Sequence, residues 1–166
     1  MLNQLSVLLL LLASSPTQAQ YNPTTGHEGT SSLTQATCPW LTAGSAARAL
    51  GGNVSVSVRG TQDNDGSCKF LKLQDPHDSL QVQVSKASLG SCPAEHTRLV
   101  GIGNEAAKCA LPGSHGKTVE MVTGRVRDVH FDVTLTVVNR RVPAKSSDEA
   151  ELPLEQIAEQ VAGNLY

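Results

Sequence analysis

Thr118–Val126 and Val129–Val138 are two extended, alternating runs separated only by Arg127-Asp128, and no other stretch constrains the fold as much. Two residues are too few for a crossover connection, so the second run must return antiparallel against the first. In the second run Phe131, Val133, Leu135 and Val137 share one face, while His130, Asp132, Thr134 and Thr136 share the other. That period of two describes a strand with one face on a core. A hairpin closing at Arg127-Asp128 places Arg125 opposite His130, so Arg125, His130 and Asp132 fall on a common surface.

The remaining segments extend this hairpin into a sheet. Val54, Val56 and Val58 alternate with Ser55, Ser57 and Arg59; Cys68–Leu73 follows a polar turn at 61–66; Leu80, Val82 and Val84 alternate with glutamines and Ser85. Shorter strands are expected at Leu99–Ile102 and Ala106–Leu111, flanking Gly103. A short helix is expected from the Thr42 cap to Leu50, stopped by Gly51-Gly52. After a loop at Asn139–Glu151, Pro153 opens an amphipathic helix with Leu154, Ile157, Ala158, Val161, Ala162 and Leu165 on its apolar face. The pattern predicts an α+β fold: a mostly antiparallel sheet of about five or six strands, with a short N-terminal and an amphipathic C-terminal helix on one face.

Apolar rings are scarce in this chain, with only Trp40, Phe70 and Phe131 besides two tyrosines, so its core rests on Val, Leu, Ile and Ala. Crosslinks suit such a core, and four cysteines are present: Cys38, Cys68, Cys92 and Cys109. In an oxidising compartment they read as two disulfides. Three pairings are open, of which Cys38–Cys68 with Cys92–Cys109 joins neighbouring elements. A zinc site is disfavoured, since no CxxC and no histidine at ligand spacing accompanies them.

The compartment is read from residues 1–19. Leu5–Ala13 is a short apolar run, and Thr17-Gln18-Ala19 fits a cleavage site with small residues flanking Gln18. The expectation is a signal peptide over 1–19, a disordered leader rich in Thr, Ser, Gly and Pro over 20–37, and a single domain over 38–166. With no cysteine beside the cleavage site, the product is expected to be secreted or periplasmic, soluble and without a membrane anchor. A net charge of −2 gives no electrostatic reason to expect nucleic acid as partner.

Several short motifs approach known chemistries without completing them. Gly101-Ile102-Gly103-Asn104-Glu105-Ala106 matches a dinucleotide fingerprint, but a strand is expected where a helix N-terminus is needed. Gly113–Thr118 has too few residues before Gly116-Lys117 for a phosphate-binding loop. Asp63-Asn64-Asp65-Gly66 resembles part of a calcium loop, but the closing position falls on Lys72. Asp75-Pro76-His77-Asp78 sets carboxylates beside an imidazole. The Arg125, His130 and Asp132 cluster is the constellation worth testing for acid–base or ligand chemistry, and a solvated polar face accounts for it too. No serine lies in a nucleophile elbow, and Asn53-Val54-Ser55 is a glycosylation sequon.

Cys38-Pro39-Trp40-Leu41-Thr42, a helix ending in Leu50-Gly51-Gly52, the strand cysteine Cys68 and Val100–Ala106 together resemble small exported bacterial proteins. These are actinobacterial-type lipoproteins classed as a domain of unknown function, and the likeness spans residues 38–138. It implies an α+β domain and a bridge between the first two cysteines, and implies no activity. The chain departs from the pattern in lacking a lipidated cysteine, in adding Cys92 and Cys109, and in having Arg127-Asp128 where Gly-Asp is expected. The expected role is a secreted or periplasmic, non-enzymatic module that binds a protein partner or small ligand, without cofactor or metal. Alternatives are a protease or hydrolase inhibitor presenting Pro112–Gly116 or Gln74–Ser79, and a weak enzyme using His130 and Asp132.

Overall fold

A computed structural model describes residues 36–138 and 152–166. The expected signal peptide, nearly all of the expected leader and the loop expected at Asn139–Glu151 lie outside the described residues. Helix α1 (Ala43–Leu50) is followed by strands β1 (Val54–Gln62), β2 (Asp65–Lys72), β3 (Ser79–Ser85), β4 (Thr97–Leu99), β5 (Glu105–Leu111), β6 (Lys117–Val126) and β7 (Val129–Val138), then helix α2 (Leu154–Gly163). The strands form one sheet in the order β1-β2-β3-β7-β6-β5-β4, and every pairing is antiparallel.

Seven strands stand where about five or six were expected. The segments named in the sequence correspond to all seven, the shortest being β4 with three residues. Its expected extent, Leu99–Ile102, is also corrected. Gly101 adopts a positive φ of 88°, which turns the chain so that Val100 stands 93% exposed while Ile102 is buried. The polar turn expected at 61–66 narrows to Asp63-Asn64, both in the left-handed region, which suits a two-residue hairpin loop. The long hairpin keeps its expected register, with Arg125 opposite His130 and Val126 opposite Val129.

Both helices cover the same face of the sheet, α1 over β1–β3 and α2 over β6–β7. The Thr42 hydroxyl accepts the Ser45 N–H at the start of α1, and Gly51 ends it in the left-handed conformation. In α2, Leu154, Ile157, Ala158, Val161 and Ala162 are buried against the sheet's Phe131, Val133 and Val122 face. Burying a side chain of the size of Ile157 or Val161 contributes about 1.5–3 kcal/mol. Lys108 of β5 then meets Glu155 of α2 at 2.9 Å and Glu120 of β6 at 3.2 Å, an ion-paired border to the apolar layer.

The disulfides join Cys38 to Cys68 and Cys92 to Cys109, the pairing favoured by adjacency. The first ties the segment before α1 to β2 on the helix-covered face, and the Asn164 side chain, donating to the Trp40 carbonyl at 3.0 Å, brings the end of the chain to the same place. With 30 and 17 residues of separation, each bridge contributes roughly 3–4 kcal/mol through the loop it closes.

Gly124 sits directly opposite Phe131, and a Cβ there would lie 2.5 Å from the Phe131 ring and 2.9 Å from the Glu105 carbonyl oxygen. Gly124→Val is expected to lower unfolding free energy by about 2–3 kcal/mol in urea titrations. Gly163→Ala, with open space around it at the end of α2, is expected to raise it by about 0.5 kcal/mol.

Candidate functional site

Strand order dictates what happens on the other face. β3 and β4 lie on opposite sides of β7, β6 and β5, so the segment from Lys86 to His96 must cross three strands to connect them. The helices occupy one face, and the crossing runs over the other.

Each crossed strand holds the segment down. From β7, the Asp132 carboxylate accepts the Gly90 N–H at 3.2 Å. From β6, the Thr123 hydroxyl donates to the Gly90 carbonyl at 3.3 Å. From β5, Cys109 bonds covalently to Cys92. The departure is shaped by Ser85, whose hydroxyl accepts the Ala87 N–H at 3.1 Å and donates to Asp65. Under this cover Cys109 and Met121 are buried although they face away from the helices.

Beside the crossing, a pocket of about 540 Å³ opens over β4–β7. Its floor is Ala107 and Thr123, its roof runs from Gly90 to Cys92 with His96, and its wall carries Arg98, Glu105, Arg125 and His130. Register explains the grouping: Glu105 pairs with Arg125 and Arg125 with His130 in one row, while Arg98 pairs with Ala107 and Thr123 with Asp132 in the next. The volume falls within the range of small-molecule sites, which is about 300–1,000 Å³.

The wall is charged. Arg125 Nε donates to Glu105 Oε1 at 2.6 Å, and Arg125 Nη1 donates to the Arg127 carbonyl at 2.8 Å. The Arg125 hydrogen bond and charge hold the Glu105 carboxyl below the usual carboxylate range, with smaller contributions from His130 and Arg98. His96 Nδ1 lies 3.0 Å from the Pro93 carbonyl, which fixes the ring and makes Nδ1 the protonated nitrogen.

Of the residues singled out in the sequence, the structure brings Arg125 and His130 together in the pocket wall. Asp132 shares their face but not their role. It is 8% exposed, its Oδ2 is spent on Gly90, and its Oδ1 is buried without a hydrogen-bond partner. Among the described residues no hydrogen bond joins His130 to Asp132. The common surface expected of all three is covered at Asp132, because the crossing lies over it. Cys92 lines the pocket and so does more than staple the chain. Arg98, His96 and Thr123 went unnoticed in sequence, and Glu105 was named there only within the Gly101–Ala106 motif, without the Arg125 partner that strand pairing gives it.

The near-miss motifs resolve as turns and anchors. Gly103 leads into β5 with no helix behind it, and the Asn104 N–H donates to the Arg125 carbonyl at 2.8 Å. Ser114 and Lys117 close a tight turn, and Asp78 accepts the Val138 N–H at 2.9 Å.

No family model matches the sequence, and no curated protein matches it. One solved structure, a crystal structure of a protein from Bacteroides thetaiotaomicron, matches with 14% identity and a TM-score of 0.35 over 58% of this chain. The chain spans 38% of that protein's length, and the likeness carries no argument about fold or function.

Burial raises the Asp132 carboxyl above its ordinary 3.8, offset in part by the neighbouring Thr123 hydroxyl, the Gly90 amide and the nearby His130. A raised value means the folded domain keeps this proton longer than the unfolded chain. Its contribution to stability is therefore greatest below about pH 4 and declines as pH rises through the raised value. Asp132→Asn retains an oxygen for the Gly90 N–H but removes the ionisation. Urea titrations across pH 3 to 8 are expected to show a variant whose stability falls less with rising pH than that of the parent.

Proposed function

We propose that the domain is an exported, non-enzymatic binding module and that it holds its ligand in the pocket beside the crossing. One observation carries the reading: a 540 Å³ pocket built on adjacent strands and roofed by a segment fixed by a disulfide. A rigid, pre-formed cavity lowers the ordering cost of binding. Two disulfides suit an oxidising compartment, in keeping with the signal peptide expected over residues 1–19. The resemblance to exported domains of unknown function is consistent with such a role and adds no activity to it.

The alternatives fit the geometry less well. Acid–base chemistry through His130 and Asp132 would need the carboxylate to orient the imidazole, and Asp132 is committed to the Gly90 amide instead. Inhibition through an extended reactive loop would need Pro112–Gly116 to protrude. Residues 112–116 are exposed but form a tight turn, closed by the Lys117 N–H on the Ser114 carbonyl, in place of an extended segment.

Ala107 lies on the pocket floor, half-buried and opposite Thr123. The immobilised parent protein is expected to retain a defined small molecule or protein from its native extract. Ala107→Trp, folded by circular dichroism, is expected to lose it. Retention that survives Ala107→Trp but is lost on replacing Ser114-His115 contradicts the pocket reading and favours the inhibitor.

A further inference from the structure

We infer that Arg98, Arg125 and His130 form an anion subsite in the wall of this pocket, occupied in the free domain by the carboxylate of Glu105, which a ligand's carboxylate or phosphate group displaces. The inference rests on the binding-module reading and assigns the class of ligand.

The charges that converge here are unequal. Arg98 and Arg125 are fixed cations, Glu105 is the lone carboxylate in the lining, and His96 and His130 add imidazole nitrogens beside them. Asp132, on the same face, is buried and bonded to Gly90, so it does not supply a second counter-charge in the pocket. Register sets Arg125 between Glu105 and His130, Arg98 lines the same pocket, and all three favour the charged form of the Glu105 carboxylate.

The resident carboxylate is weakly committed. The Glu105 side chain is 60% exposed, and Arg125 holds it through Nε alone and not through a two-pronged fork. An exposed pair of this kind is worth little on its own. Swinging Glu105 into water would therefore cost little and would free the Arg125 edge. The Arg98 side chain makes no hydrogen bond among the described residues, and its engagement is electrostatic, with Glu105. A ligand anion seated between the two arginines would take donors from both, which Glu105 does not do. Arg125 is held ready for it, since Nη1 is fixed on the Arg127 carbonyl and Arg127 N–H donates to Asn104 Oδ1 at 2.6 Å.

If the Glu105–Arg125 pair is only a cross-strand ion pair, replacing Glu105 leaves anion affinity as it was. If Glu105 is a displaceable occupant, the same change strengthens binding. The test is a titration of the isotope-labelled full chain with succinate, inorganic phosphate and the neutral analogue succinamide, followed by backbone amide shifts. Saturable shifts at Gly90–Cys92, Ala106–Ala107 and Thr123–Arg125 are expected with succinate or phosphate. Which of the two binds tighter distinguishes a carboxylate from a phosphoryl ligand. Glu105→Gln is expected to tighten the binding about threefold to tenfold, and Arg98→Ala to weaken it about tenfold. Unchanged affinity in both variants, or shifts that are scattered and unsaturable, overturns the inference. Succinamide bound at the same amides by the parent and by Arg98→Ala alike also overturns it, while leaving the binding-module reading intact.

Discussion

A sheet in which β3 and β4 occupy positions separated by β7, β6 and β5 requires the chain to pass over three strands, and the helices leave one face for that passage. Everything distinctive about the domain follows from how the passage is fastened. A bare loop there would expose backbone groups to an apolar surface around Met121 and Cys109. Instead, Gly90 gives both its N–H and its carbonyl to the sheet, and Cys92 is bonded to β5. The buried carboxylate of Asp132 is tolerated because it satisfies that amide, and burial raises its proton affinity as a consequence. The pocket is the space left beside the fastened segment, over the small side chain of Ala107 on β5.

The two faces of the sheet are held by different physics. On the helix side, apolar burial dominates, with Phe70, Phe131, Leu80 and Ile157 fully enclosed and an ion-paired border at Lys108. Few aromatic rings contribute, so the Cys38–Cys68 bridge supplements a core of modest side chains. On the other side, point attachments replace area. That difference suits a binding face, where polar groups must stay available to a ligand and the backbone must hold still.

Local patterns made much of this legible in the sequence. The alternation of Phe131, Val133 and Leu135, with a two-residue turn, determined the β6–β7 register and hence the Arg125–His130 pair. Thr42 and Gly51 marked the ends of α1, and the spacing of Ile157 and Val161 marked the buried face of α2. Sheet order was not legible, because side-chain period reports which face a residue takes and not which strand lies beside it. Without the pairing of β3 with β7, Asp132 read as a surface residue, and nothing marked Lys86–His96 as a segment that covers it. The grouping of Arg98 with Glu105 was hidden for the same reason: their shared pocket is created by the pairing of β4, β5 and β6, and the motif that contains Glu105 points to a different chemistry.

The central claim is that the crossing is fastened at Gly90 to β7 and β6, and hydrogen exchange of the Gly90 amide measures it most directly. The structure predicts exchange slowed by about two orders of magnitude or more relative to the Ser91 amide beside it, which has no hydrogen-bond acceptor among the described residues, because the Gly90 N–H must leave Asp132 before it can exchange. A Gly90 amide that exchanges as fast as that of Ser91, in a domain whose β6 and β7 amides are protected, would mean the crossing is held by the disulfide alone.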